Sequence, residues 1–480
     1  MSTQVEPQTL KGFRDLLPEA MIARNAAIER IRKVYEKYGF APIDTPSLEY
    51  LRTLIGTGGE ETNKLLFHLK TPEGDAAAMR FDLTVPFARL LAQYPEQLKL
   101  PFRRYHIGPV YRADDPHPGR YRQFTQFDID AAGSASLMVE AEIVAAMADV
   151  MKEFDVQPGE FVIQINNLRA IHAFLTQIGI PDITTAKRVM RVIDKLHKVG
   201  IENVRKELGE GRFDVSGDRI RGVGLNSDQI AKIDLFLEIG GKTRKEIITA
   251  LESLLEKTEI AEQALVEFRE LSELLDAQNV SEEEAVFDTT LMRGLDYYTA
   301  MVFEAYLPNA RQFGSILGGG RYDNLVDRFQ ATSIPACGVS IGLDRFLDAL
   351  AHLGKIKLNQ TQTQVLVVGM KGVPGAELLK LASELRAAGI RAEVYLGAPG
   401  ASMKVQLAFA NTREFPLAII VGENEIKDGV VSIKNLALGR DLRAATASHD
   451  EYKGQGRAGQ VTVPRSEMIN AVREQLGSSA

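Results

Sequence analysis

The sequence predicts a mixed α and β domain interrupted by a helical insertion and followed by a small α/β domain, and three observations carry that prediction. Strand-like text such as FVIQIN at 161–166 gives way, from about 167 to 285, to charged text with Leu and Ile every third or fourth residue, the period of a helix. Strand-like text resumes in YYTAMVFEAYL, so the two flanks read as one domain split by the insertion. After the polar link KLNQTQTQ, strand and helix alternate through VLVVGM, GAELLKLASELRAAG, RAEVYLG, MKVQLAFANTR and LAIIVG, which predicts an α/β unit with a largely parallel sheet. The divisions fall at 1–166, 167–285, 286–355 and 363–480.

Taken in order, Pro18 followed by Ile28, Ile31, Tyr35 and Tyr38, with Gly39 just beyond, predicts an amphipathic helix that runs into the extended segment FAPIDTPSLEY. Val144, Met147, Met151 and Phe154 mark a second helix before the 161–166 strand. In the second flank, LGGGRYDNLV and CGVSIGL precede a helix, RFLDALAHL. A chain of 480 residues accommodates several such domains, each with its own core.

Composition narrows the function. With 45% hydrophobic and 25% charged residues the chain reads as globular rather than disordered or collagenous. No run of eighteen apolar residues and no apolar leader is visible, so we expect a cytoplasmic protein with no membrane association. One cysteine, Cys337, rules out an internal disulfide. Seven scattered histidines without HExxH argue against a protein-bound metal. No GxxxxGK[ST] occurs, and no activated nucleophile is visible. The formal charge of −7 excludes a general basic coat, so any contact with nucleic acid is local. Two local excesses stand out. Residues 363–480 hold 14 basic against 12 acidic side chains, and Lys187–Lys206 hold seven Lys/Arg against Asp194 and Glu202.

The strongest chemical signal is arginine. Arg103, Arg104, Arg112, Arg120 and Arg122 fall within twenty residues of FRRYHIGPVYRADDPHPGRYRQFTQFDID, interleaved with aromatics. Alone, the run reads equally as a solvated strand and turn. However, Asp128 and Asp130 alternate with Phe127 and Ile129, which puts two carboxylates on one strand face just beyond the arginines. Guanidinium forks pair with phosphates and carboxylates with ammonium groups, so the implied ligand pair is a phosphate beside an amine.

These residues carry a resemblance. The arginine-rich segment resembles motif 2 of class II aminoacyl-tRNA synthetases, specifically the histidyl-tRNA synthetase family. LMRGLDYYTAMVFEA at 291–305 is similar to that family's histidine signature, LGGGRYDNLV at 317–326 to its glycine-rich companion, and GVSIGLDRF at 338–346 to motif 3. GFAPIDTPSLEY at 39–50, with Pro46, resembles motif 1, and RFDLTVPFARL at 80–90 the substrate-binding strand. The resemblance spans nearly the whole chain. It implies an antiparallel catalytic sheet of class II type and a histidine-tRNA ligase: ATP and L-histidine condense to histidyl-adenylate and pyrophosphate, and the histidyl group then passes to the 3′ end of tRNA(His). No enzyme nucleophile is required, only alignment and stabilisation of developing charge.

By the same resemblance Arg112 holds the α-phosphate and Arg293 lies opposite it. Arg120 and Arg345 meet the rest of ATP, with Asp114 near the adenine edge and Tyr121 beside the nucleotide, while Mg²⁺ bridges the outer phosphates. Asp82, Thr84, Gln126 and Asp130 surround the α-amino group and carboxylate of histidine. Tyr297, Tyr298 and Tyr322 lie toward the imidazole, with Arg293 close by. Where the common bacterial form has RPEGT and QLGCE, this chain has RFDLT at 80–84 and QFDID at 126–130, departures that resemble the eukaryotic and archaeal branch. Residues 363–480, with VGENEIKDG at 421–429 as a strand and turn, resemble the anticodon-binding domain. The resemblance also implies a homodimer built on motif 1, and an insertion that lies over the tRNA acceptor stem. The regulatory subunit of ATP phosphoribosyltransferase shares the catalytic fold. It generally lacks the signature and the C-terminal domain, both present here.

Overall fold

The computed structural model describes residues 4–56, 63–117, 119–214, 217–241, 243–292, 297–356, 361–398, 400–445 and 459–477, with side chains of 441–445 left aside. Arg293, assigned above by resemblance, lies outside the described residues. The chain divides into two compact units, residues 1–15 with 27–356, and 16–26 with 357–480.

The strands of the first unit are β1 (Ala41–Pro42), β2 (Leu48–Tyr50), β3 (His68–Lys70), β4 (Ala76–Met79), β5 (Phe102–Tyr111), β6 (Gln123–Ala132), β7 (Val162–Asn167), β8 (Gly211–Phe213), β9 (Arg219–Arg221), β10 (Ala285–Phe287), β11 (Met301–Tyr306), β12 (Leu317–Arg321) and β13 (Ala336–Gly342). Among the described residues, eight of them form one sheet in the order β1-β5-β6-β13-β12-β11-β7-β10. Its centre, from β5 to β7, is antiparallel, and only the edge pairs β1 with β5 and β10 with β7 are parallel. The polypeptide between β7 and β10 leaves and re-enters the sheet at neighbouring positions, as an insertion does. It holds the helices Leu168–Gln177, Ile183–Ile193, Leu196–Val199, Ile201–Leu208, Ser227–Leu237, Arg244–Leu254 and Glu259–Ala277, and the β8–β9 hairpin. Asn226 and Thr243 start two of these helices with reciprocal capping boxes to Gln229 and Glu246. The hairpin, β3 and β4 go unpredicted, because strands of three or four residues are too short for an alternation to register, whereas β2, their neighbour in the small β2-β4-β3 sheet, lies in the segment read as extended.

Strand alternation fixes what each face of the large sheet does. Tyr105, Phe127, Ile129, Cys337, Val339, Ile341, Leu317 and Phe303 face a core closed by the helices Pro18–Lys37 and Met138–Glu153. The second helix buries Val139, Ile143, Val144, Met147, Val150 and Met151, each worth about 1.5–3 kcal/mol over exposure. The intervening positions, Arg104, His106, Gln126, Asp128, Asp130, Gly338, Ser340 and Glu304, therefore face the other side. There a second cluster, with Phe81, Val85, Phe87, Tyr322 and Ile334, covers part of the sheet and leaves a polar floor.

The second unit orders its strands β15-β14-β16-β17-β18, with β14 (Val365–Gly369), β15 (Ala392–Val394), β16 (Leu417–Val421), β17 (Val430–Asn435) and β18 (Gln460–Pro464). The first three are parallel, as expected, but β17 and β18 run antiparallel. The expected strand and turn at 421–429 is a strand end, a six-residue helix Glu423–Asp428 and then Gly429 at φ 65°. That left-handed residue turns the chain straight back, where a parallel strand needs a longer crossover. Among the described residues no helix is long and apolar enough to cross a membrane.

Candidate active site

The polar floor carries two adjoining environments. The first is a cleft of about 260 Å³ whose walls include Arg112, Asp114, Arg120, Tyr121, Gln126 and Arg345. Five of these six come from the β5–β6 hairpin and its loop, and Arg345 opens the helix after β13. Arg112 is held from below: its Nε donates to the Phe81 carbonyl at 3.2 Å, and its guanidinium lies 4.1 Å from the Phe81 ring centre and 5.1 Å from that of Phe124. Arg345 Nη1 donates to the Ser315 carbonyl at 2.8 Å. Burial, and next the charge of Arg120, pull the Arg345 guanidinium below its ordinary value, against Glu304 and Asp114. Arg120 Nη2 donates to Asp114 Oδ1 at 2.7 Å, so these two expected contacts engage one another.

Two cleft features escape a reading of the sequence. Arg14 stacks 3.8 Å over the Tyr121 ring, donates to its hydroxyl at 2.7 Å, and bridges to Asp344 Oδ1 at 2.7 Å. Asp344 Oδ2 in turn accepts from the Thr125 amide at 2.7 Å. Tyr121 is thus fixed by a residue over a hundred positions away, and nothing in GFRD around Arg14 announces it. Lys198, from the inserted helices, also lines the cleft, as does Glu304 of β11. Of the arginine run, Arg103 turns outward to Glu142 and the Tyr38 carbonyl, while Arg104 is fully buried in the second environment.

That second environment is acidic and aromatic. Asp82 is 4% exposed, accepts from the Val85 amide at 3.0 Å, and receives the Tyr297 hydroxyl at 3.5 Å. It sits where the chain enters the helix Thr84–Gln93, so Thr84 is brought in beside it. Tyr297 packs against Tyr298 at 4.7 Å and Tyr322 at 6.0 Å between ring centres. The Tyr322 hydroxyl donates to Asp130 Oδ1. Gln126 Nε2 donates to Ser340 Oγ at 2.7 Å, and both residues line the cleft, so Gln126 stands where the environments meet. Ser340 lies in Gly338–Gly342, which spells a GxSxG pattern that a reading finding no nucleophile passes over. Its position within β13, rather than on a strand-to-helix turn, removes that meaning.

Burial dominates the electrostatics. It raises Asp82, against the Val85 amide, Arg112 and Arg104, and it raises Asp130 to about 6, against Arg104 and the Tyr322 hydroxyl. A cationic ligand gains charge-assisted hydrogen bonds from such carboxyls, and its charge favours their ionised form. Among the described residues no group of three or more His, Cys, Asp or Glu could hold a metal ion.

Gly338 leaves the room that Asp130 occupies. A Cβ there would stand 1.9 Å from Asp130 Oδ1 and 2.7 Å from the Ile129 carbonyl. Gly338→Ala should therefore displace the Asp130 carboxylate and raise KM for the amine-bearing substrate by about 10-fold or more, since a charge-assisted hydrogen bond is worth roughly 1.5–3 kcal/mol. An unchanged KM in a folded variant would show that Asp130 does not touch that substrate.

Comparison with known proteins follows the same division. Residues 12–346 match the family model described as histidyl-tRNA synthetase, and residues 362–475 match that of an anticodon binding domain. A histidine-tRNA ligase of Paracoccus denitrificans is 40% identical over 486 residues, covering 98% of this chain and 97% of that one. The crystal structure of histidyl-tRNA synthetase from Nostoc sp. PCC 7120 superposes with a TM-score of 0.80 at 29% identity, covering 98% of this chain and all of that one. A Bacillus halodurans structure described as an ATP phosphoribosyltransferase regulatory subunit/histidyl-tRNA synthetase shares the fold, with a TM-score of 0.69 at 23% identity over 88% of this chain.

Proposed function

The chain belongs to the histidyl-tRNA synthetase family, and from that premise we propose that its two environments are one reaction site. It is a histidine-tRNA ligase, which activates L-histidine with ATP and transfers the histidyl group to tRNA(His). The observation that carries the site assignment is the position of Arg112, which lines the cationic cleft while its charge acts on Asp82 in the acidic pocket. A group there can hold the α-phosphate against the carboxylate that attacks it.

ATP occupies the cleft. Arg112 meets the α-phosphate, Arg120 and Arg345 the remaining phosphates and base, Asp114 the adenine edge, and Tyr121, braced by Arg14, flanks the nucleotide. Arg293 is assigned opposite Arg112 on the strength of the sequence signature. Histidine lies with its ammonium between Asp82 and Asp130, its carboxylate near Thr84 and Gln126, and its ring toward Tyr297, Tyr298 and Tyr322. Tyrosine hydroxyls can each donate or accept, so they select a neutral imidazole tautomer, and other side chains leave these groups unpaired. The attacking oxygen belongs to the substrate and pyrophosphate leaves, so the protein aligns and neutralises without forming a bond of its own. Mg²⁺ fits as a companion of the nucleotide, since such ions ride on substrate phosphates with one or two carboxylates, and Glu304 on the cleft wall is a suitable one. When bound, it neutralises the outer phosphates.

Residues 363–480 read the anticodon, and 167–285 form an insertion that contacts the acceptor stem, supported by the basic run at Lys187–Lys206. The resemblance to motif 1 supports a homodimer. We assign the enzyme to the cytoplasm, where translation consumes charged tRNA. In its substrate motifs the chain follows the eukaryotic and archaeal pattern, while the relatives quoted above are bacterial.

ATP–pyrophosphate exchange with each of the twenty amino acids at fixed Mg²⁺ tests the assignment. Exchange with histidine alone is expected. No exchange with any amino acid, from folded protein, would favour a regulatory paralogue.

A further inference from the structure

Arg104 is the arginine of the hairpin that a phosphate cannot use. Its side chain is fully buried on the polar face of β5, with the guanidinium 4.7 Å over the Phe87 ring. Its Nη2 stands 2.5 Å from Asp130 Oδ2, 4.0 Å from Asp128 Oδ2, and 3.2 Å from the Leu83 carbonyl that it donates to. Its Nε and Nη1 have no hydrogen-bond partner, and neither have Asp128 Oδ1 and Asp130 Oδ2, so the approach to Asp130 is an ion pair rather than a hydrogen bond. A buried cation with two unsatisfied N–H groups is costly in isolation. What offsets that cost is the company of three buried carboxyls, Asp82, Asp128 and Asp130.

We propose that Arg104 is a positioning residue for the amino-acid pocket: closer to Asp130 than to Asp128, it keeps Asp130 ionised for the substrate ammonium while Asp128 remains neutral. This rests on the assignment of the acidic pocket to histidine. Attraction falls with distance, so the closer carboxyl takes the larger share of the single adjacent cation. Asp130 is also the carboxyl that receives the Tyr322 hydroxyl, which stabilises its charged form. The other groups around the pair do not reverse the balance. Arg80 on the same side is committed to the carbonyls of Pro109 and Thr45. His106, against Asp44, is lowered to about 3 by burial first and then by Arg104 and Arg80, so it is neutral. Asp82 adds negative potential and Arg112 acts on Asp82, while each carboxyl has one hydroxyl that favours its charged form, Ser340 on Asp128 as Tyr322 on Asp130, so it is the distance from Arg104 that separates the two. Consistent with this balance, burial lifts Asp128 to about 8 but Asp130 only to about 6.

Four variants test the proposal, read in pyrophosphate exchange through the kinetic constants for histidine and for ATP. Asp128→Asn replaces a neutral acid by a neutral amide, so both constants should stay within about 3-fold, and the wild-type-minus-variant infrared spectrum at neutral pH should show a protonated-carboxyl band. Asp130→Asn should raise the histidine KM about 100-fold with the ATP KM within about 3-fold. Arg104→Met lets Asp130 take up a proton at higher pH than in the wild type. The ratio of variant to wild-type kcat/KM for histidine should therefore rise with pH between about 6 and 8, a ratio in which the substrate's own imidazole titration cancels. Arg104→Lys should recover part of the loss. A flat ratio, equal damage to both KM values, or an Asp128→Asn variant that lacks histidine binding or shows no infrared band would overturn the proposal. Should Arg104→Met fail to fold, the Asp128→Asn infrared and KM results decide alone. Wild-type exchange with histidine is read first, so a failed site assignment is told apart from a failed role for Arg104.

Discussion

Arg112→Ala is expected to slow histidine-dependent pyrophosphate exchange by about 10²- to 10³-fold, the loss seen when one preorganised group that stabilises developing charge is removed. The reasoning lies in how the side chain is held. Its Nε bond to Phe81 and its packing on Phe81 and Phe124 fix the guanidinium before substrate arrives, so little reorganisation remains for the reaction step. The cation also opposes the burial that raises Asp82, so its removal should weaken histidine binding as well. Arg112→Lys keeps the charge but not the planar fork, and should fall between wild type and alanine. Exchange within 3-fold of wild type in the alanine variant would remove Arg112 from the reaction.

The largest effect on stability is expected at Arg321, on the helix-facing side of β12. Its Nη2 meets Glu140 Oε2 at 2.6 Å, its Nε meets Glu140 Oε1, and Nη1 donates to the Ser134 carbonyl at 3.2 Å, with both side chains almost wholly buried. Glu140 belongs to the helix Met138–Glu153, and burial raises its carboxyl even against this partner. Arg321→Met strands that carboxyl in the core, so unfolding free energy should drop by about 3–5 kcal/mol, read as a lower denaturant midpoint. Arg321→Met with Glu140→Leu should recover most of it, because the fully buried carboxyl goes with its partner, while Asp323, the other carboxylate on Arg321, is partly exposed and keeps the Thr299 hydroxyl. A single variant as stable as wild type would mean the pair contributes nothing.

How much of this was legible in the sequence depends on the range of the interaction. The alternation of Phe127 and Ile129 with Asp128 and Asp130 is local, and it correctly put both carboxylates on one face. The composition of the arginine run was equally plain, but not its division. Arg103 pairs outward, Arg104 is sunk beneath the pocket and Arg112 lines the cleft, because strand parity and the neighbouring segments decide which way each side chain goes. Arg14 on Tyr121 and Arg321 on Glu140 could not be found by pattern at all, since each joins residues over a hundred positions apart. RFDLTVPFARL read as a substrate-binding strand, but the strand ends at Met79 and 80–83 turn into the helix Thr84–Gln93, with buried Arg80 bracing the Thr45 and Pro109 carbonyls. Cys337 is fully buried, opposite Arg321 in the β12–β13 register.

The β6–β13 pairing carries a consequence for the order in which the molecule is made. Asp130 and Gly338 are register partners, yet the whole insertion is synthesised between them. On a ribosome working at about 5–20 residues per second, β6 waits with one edge unpaired for on the order of ten seconds or more. An unsatisfied apolar edge of that kind invites intermolecular pairing. The insertion, rich in local helical contacts, can fold during the wait, whereas the central sheet depends on long-range closure. Nascent chains released before β13 should therefore aggregate and carry no amino-acid pocket, and chaperone demand should peak in that interval.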